Sequence, residues 1–157
     1  MSKPSTQKQA PTIKTTCITN QNPEGTPFDL ADQKNQYTLL YFYPKDDTPG
    51  CTKQACAIRD QWINLPKNLK IFGVSPDPIK AHQKFISKYQ LPFGLLLDED
   101  KAIATAYGVW VEKSMYGKKY MGNERTSFLI SPEGKLLQIF EKVKPEEHLD
   151  LILKSLP

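Results

Sequence analysis

Two of the three cysteines in the chain, Cys51 and Cys56, lie five residues apart behind a proline-rich segment, Tyr43-Pro-Lys-Asp-Asp-Thr-Pro-Gly-Cys51. An apolar run precedes this segment and a helix-compatible run follows it. Cys51 is therefore expected in the first turn of a helix, just beyond the carboxyl end of a strand, where active sites of open α/β sheets lie. Free backbone N–H groups and the positive helix end favour a thiolate there. A thiol of pKa about 8.5 is only about 3% ionised at pH 7, and lowering it to about 6 gives roughly 90% thiolate. Cleavage of a peroxide bond needs that anion, together with donors that stabilise the leaving oxygen. Thr48, three residues before Cys51, offers a hydroxyl that can bond both sulfur and peroxide. Pro44 and Pro49 stiffen the loop and limit water access. On these residues alone, a partly buried structural cysteine at a helix start accounts for Cys51 equally well.

Cys56 adds a geometric constraint. Residues five apart on a regular helix are about 140° apart around the axis, with Cα atoms roughly 8.7 Å apart. A disulfide needs Cα atoms within about 6.8 Å. If the two cysteines bond at all, this turn must unwind, as a cycle requires in which a sulfur first reacts and is then released. Two unrelated helix cysteines remain the alternative.

The elements that must position these residues can be read along the chain. The almost wholly apolar run 37–43 suits a central strand buried on both faces and ended by Pro44. A helix is expected over 51–62, a strand over 69–75, and a helix to about Tyr89 with Asp77 as N-cap and Pro78 at its first position. A short strand over 93–97 follows. Asp98 or Asp100 then caps a short helix ending near Gly108, so the acidic Asp98, Glu99 and Asp100 are expected to serve as loop and helix cap rather than as a metal site. Strands 126–130 and 135–140 flank Ser131-Pro-Glu-Gly134, a hairpin signal. A last helix carries Leu149, Ile152, Leu153 and Leu156. Alternating strands and helices imply parallel strands with crossovers, and the hairpin adds antiparallel ones. The fold class is therefore α/β: a mixed central sheet with helices on both faces, the arrangement of a thioredoxin-like fold.

The chain of 157 residues is enough for one domain. Residues 1–10 read as a disordered lead-in and 11–157 as the domain. No apolar run approaches the ~20 residues of a membrane span. The first ten residues lack the apolar stretch of a signal peptide, so a cytoplasmic location is expected. The net charge of +4 is scattered over solvated lysines rather than gathered with aromatics, which argues against nucleic acid. Three cysteines are too few for a disulfide scaffold, and two distant histidines do not suit zinc. Cys17 is expected as a small packed side chain, Tyr107 and Trp110 as core or pocket wall, and His82 and His148 on the surface.

The segment Tyr41-Phe-Tyr-Pro-Lys-Asp-Asp-Thr-Pro-Gly-Cys-Thr, with Cys56, Arg59 and Asp60, resembles the bacterioferritin comigratory protein (peroxiredoxin Q) branch of the peroxiredoxins. That family's Pro-x-x-x-Thr-x-x-Cys signature falls on Pro44, Thr48 and Cys51. Its resolving cysteine, five residues on, falls on Cys56. The segment Asn123-Glu-Arg-Thr-Ser-Phe-Leu-Ile130 resembles the one that carries the family's active-site arginine, which falls on Arg125. A fixed guanidinium near the sulfur would favour the thiolate and bond the peroxide oxygens. Without the resemblance, a lone arginine before a strand is ordinarily a surface residue.

The resemblance implies a thioredoxin-like peroxiredoxin of the atypical two-cysteine kind, acting on hydrogen peroxide and organic hydroperoxides. It implies a disulfide between Cys51 and Cys56, recycling by thioredoxin or a glutaredoxin-like dithiol, a monomer, and no metal, haem or flavin. A disulfide oxidoreductase is disfavoured because the cysteine spacing is not Cys-x-x-Cys. A redox-sensing interaction module using the same switch is the non-enzymatic alternative.

Overall fold

Leu39 and Tyr41 point to one side of a strand and Leu40 and Phe42 to the other, and all four are buried. Strand alternation between two apolar surfaces dictates a sheet covered on both faces. The computed structural model describes residues 2–156 and has this form. Along the chain run β1 (Lys14–Ile18), β2 (Thr26–Asp29), β3 (Tyr37–Phe42), α1 (Pro49–Gln61), β4 (Leu69–Ser75), α2 (Ile79–Tyr89), β5 (Gly94–Leu97) and α3 (Ala102–Ala106). Then come β6 (Trp110–Met115), β7 (Lys118–Asn123), β8 (Thr126–Ile130), β9 (Leu136–Phe140) and α4 (His148–Ser155).

Seven strands form one mixed sheet in the order β2-β1-β5-β4-β3-β8-β9, while β6 and β7 pair as a separate ribbon. β3 is central, parallel to β4 and antiparallel to β8. One core layer joins Leu39, Tyr41 and Leu129 of the sheet to Ala55 and Ile58 of α1, Phe85 and Ile86 of α2, and Leu149 and Ile152 of α4. The other joins Leu40, Phe42, Val74 and Phe128 to Ile103 and Ala104 of α3, with Tyr107 and Val109. No helix among the described residues is long and apolar enough to cross a membrane.

Several sequence-based expectations change on this frame. Residues 7–10 are not a loose lead-in: Gln7 N–H donates to the Leu136 carbonyl, Leu136 N–H to that of Lys8, and Ala10 N–H to that of Gly134. This stretch thus lines the start of β9 and covers an otherwise open edge. β1, β2 and the β6–β7 ribbon were not anticipated, because their polar alternation carries little apolar signal. α2 begins after Pro78, not at it, and Asp77 does not cap it; Asp77 turns instead toward the loop before Cys51. Asp98 accepts from Ile103 and Ala104 N–H at 2.9 Å each, and Asp100 from Ala102 N–H at 3.1 Å, so the acidic triplet serves the start of α3.

His82 and His148, expected on the surface, are both buried. Each sits on the core-facing side of its helix with one ring nitrogen satisfied by a neighbouring oxygen, Asp46 for His82 and Ser127 for His148. Cys17 is packed as expected, with its Sγ so close to Gly94 that a Cβ there would come within 2.3 Å of it. It belongs to the opposite core layer from Cys51, and burial raises its pKa to about 11.

Candidate active site

α1 starts at Pro49, whose missing N–H costs nothing at a first helical position. Thr48 precedes it in extended conformation, but its side chain does not cap the helix. Its hydroxyl donates instead to the Lys45 carbonyl at 2.8 Å, closing the loop on itself. The first N–H groups of α1 thus receive no bond from that side chain, so this end of the helix is electrically positive. Cys51 lies in that first turn and is 1% exposed. Cys51 and Cys56 are both free thiols on one uninterrupted helix.

Arg125 reaches this turn from the start of β8, which lies beside the end of β3. It sits between β7 and β8, its carbonyl accepting from Val143 N–H at 2.8 Å. Just before it, Asn123 donates to the carbonyls of Tyr43 and Val74 at 3.2 and 3.4 Å, which pins the ribbon's exit to the ends of β3 and β4. The Arg125 Nη2 lies 3.5 Å from Cys51 Sγ, and Nη1 donates to Gln54 Oε1 at 2.7 Å. Gly50 leaves room for this approach, since a Cβ there would lie a tight 3.1 Å from Nη2.

Of the residues singled out by the sequence, Cys51 and Arg125 are in direct contact, and Pro44 and Thr48 frame the loop before them. Cys56 stands about a turn and a half further along α1, half-buried, and burial raises its thiol pKa above the usual value. Two residues were not anticipated. Gln54, buried at i+3 from Cys51, fixes the guanidinium; a polar residue on the same helix stripe as the cysteine was the available signal. Lys113 of β6 is half-buried; burial and the nearby Arg125 charge lower its pKa. Beneath the site, the unpartnered Tyr41 hydroxyl is buried, and burial and the nearby Cys51 raise its pKa well above the usual value. The His148 ring packs against the Tyr41 ring at a tilt of 55°, with centroids 5.4 Å apart. Among the described residues no cluster of three or more His, Cys, Asp or Glu could hold a metal ion.

The AhpC/TSA family model matches residues 6–139. The "Putative peroxiredoxin bcp" of Coxiella burnetii is 51% identical over 127 residues, covering 80% of this chain and 84% of that protein. The "Peroxiredoxin Bcp" of Bacillus subtilis is 46% identical over 133 residues, covering 84% and 85%. This chain belongs to the AhpC/TSA family, among the Bcp peroxiredoxins. The solved structure of the Xanthomonas campestris bacterioferritin comigratory protein superposes on this peroxiredoxin with a TM-score of 0.84 at 35% identity, covering 96% of both chains. The thioredoxin-like fold and the thiol peroxidase class expected from the cysteine motif are thereby established, and the protein is an enzyme.

Proposed function

We propose that this peroxiredoxin reduces hydrogen peroxide and organic hydroperoxides through a sulfenic acid on Cys51 and an intramolecular disulfide to Cys56. The Cys51 thiolate attacks the distal peroxide oxygen. The O–O bond breaks, the sulfur gains that oxygen as a sulfenic acid, and the remaining alkoxide or hydroxide takes a proton. The Cys56 sulfur then attacks the Cys51 sulfur and water leaves. An external dithiol, thioredoxin or a glutaredoxin-like protein, reduces the disulfide and is itself oxidised. Arg125 orients peroxide and spreads the developing negative charge, with Gln54 holding the guanidinium in place. The Thr48 hydroxyl, its hydrogen directed to Lys45, presents lone pairs that can accept from the peroxide O–H. Pro44 keeps the loop stiff.

The observation that carries this reading is the Arg125 guanidinium 3.5 Å from a buried sulfur at a helix start. The Xanthomonas campestris relative has alkyl peroxide reduction activity, which supports organic hydroperoxides as substrates. With both cysteines on one helix, a monomer suffices, and recycling by an external dithiol suits a reducing cytoplasm. The test is peroxide consumption coupled to thioredoxin, thioredoxin reductase and NADPH. Sustained turnover with disulfide formation supports the proposal. A single oxidation without turnover would make the protein a redox-sensing module instead.

A further inference from the structure

Asp46 and Asp47, two residues of the loop before Cys51, are both held by α2. Asp46 is buried, 7% exposed, and His82 is 0% exposed. His82 Nδ1 lies 2.7 Å from Asp46 Oδ2, and the Tyr43 hydroxyl donates to Oδ1. A carboxylate only accepts, so Nδ1 carries the hydrogen of that bond. The Asp46 N–H donates to Asp77 Oδ2 at 2.8 Å, an oxygen that also accepts from the Ser75 hydroxyl at 2.6 Å. Asp47, with φ +56°, accepts from Lys88 Nζ at 2.8 Å and from the Tyr89 hydroxyl at 2.7 Å.

These two grips differ in weight. The Asp47 pair is exposed, and such pairs contribute little. The buried pair must offset the desolvation of a carboxylate and an imidazole, and an apolar pair of the same volume could fill the space as well. What the polar pair adds is a defined position for the loop. A second tie lies beyond Cys56, where Arg59 Nη1 donates to the Tyr89 carbonyl at 2.9 Å. α2 therefore holds the chain on both sides of residues 51–56, while among the described residues no hydrogen bond or ion pair joins that stretch to α2.

We propose that Asp46 and His82 are a positioning pair that clamps the loop carrying Thr48 to α2, holding Cys51 in its reactive place and resisting its release toward Cys56. The release half of this inference rests on the disulfide reading above; the first half does not. With the clamp intact, Cys51 reacts with peroxide from a fixed setting beside Arg125. With it weakened, the loop wanders, oxidation slows, and the same sulfur is freed sooner to meet Cys56.

The test uses stopped-flow oxidation of full-length protein by hydrogen peroxide in a Cys56→Ser background, which reads the first step alone. His82→Leu removes the donor, His82→Asn keeps an N–H close to the Nδ1 position, and Tyr43→Phe deletes only the second bond to Asp46. His82→Leu is expected to slow oxidation about tenfold or more, as misplacement of a reacting group does. His82→Asn is expected to stay near the parent, and Tyr43→Phe to slow oxidation less than His82→Leu. With Cys56 restored, disulfide closure is expected to quicken in His82→Leu. Should His82→Leu not fold, Tyr43→Phe decides by the direction of its effect. Parental oxidation rates in a folded His82→Leu or in Tyr43→Phe, or equal losses in His82→Leu and His82→Asn, would overturn the proposal. Failure of the disulfide reading would appear elsewhere, as absence of the bond between Cys51 and Cys56 in oxidised parent protein by mass spectrometry.

Discussion

Oxidation should melt the start of α1. The perturbation is one equivalent of peroxide, and the magnitude follows from the observed helix, which runs unbroken from Pro49 to Gln61 through both cysteines. Their Cα atoms must approach from about 8.7 Å to about 6.8 Å or less, and their side chains must swing through much of about 140°. Cys51 must also leave its buried place beside Arg125. The backbone N–H groups of residues 52–55 donate one turn back, that of Thr52 to the Thr48 carbonyl at 2.8 Å. Losing four such bonds at about 1 kcal/mol each costs roughly 4 kcal/mol, or about a 10³-fold loss of amide protection. Residues 60 and 61 should keep theirs, because their N–H groups donate to the carbonyls of Cys56 and Ala57, in a turn anchored by buried Ile58 and by the tie of Arg59 to Tyr89. Hydrogen exchange on reduced and oxidised protein, read by mass spectrometry or NMR, measures this. Equal protection of 52–55 in a protein shown to carry the disulfide would refute the reasoning. A disulfide from Cys51 to Cys17 would refute it differently, since those sulfurs lie in opposite core layers.

Four further outcomes are expected. Cys51→Ser should abolish peroxide turnover in the coupled assay, because no other described thiol stands beside Arg125. Arg125→Ala and Thr48→Val should each lower the second-order rate of Cys51 oxidation, about 10²–10³-fold for loss of a well-placed bonding group, as followed by rapid mixing. Cys56→Ser should react once with peroxide, stop at the sulfenic acid and over-oxidise more readily, visible as mass gains of successive oxygens. His148, its pKa pushed from 6.5 to about 3 by burial and by Arg125, stays neutral in the folded protein while the unfolded chain takes up a proton. Its contribution to stability is therefore fully present above about pH 6.5 and falls as pH drops toward about 3, by at most about 1.4 kcal/mol per pH unit. Urea midpoints against pH should show this slope, and His148→Gln should flatten it.

Much of the site was legible in local sequence because its logic is local. A proline-framed loop, a threonine three residues before a cysteine, and a second cysteine five residues on each act within two helical turns, so spacing alone states what they can and cannot reach. The apolar run 37–42 likewise declared a central strand, since nothing but burial on both faces explains it. What stayed hidden was decided by partners distant in sequence. His82 and His148 look like surface residues until Asp46 and Ser127 are brought against them, 36 and 21 residues away. β1, β2 and the ribbon carry weak apolar patterns and are formed by the strands they pair with. Arg125 is the plainest case. It lies 74 residues beyond Cys51 and reaches it only because β8 runs antiparallel to β3, which sets the start of one beside the end of the other. Local spacing marked Cys51 as the sulfur placed to react, and it required that any bond from Cys56 to it unwind a helix. The tertiary structure alone decided which charge meets that sulfur and which helix holds its loop, because strand order and sheet pairing, not spacing along the chain, bring those groups together.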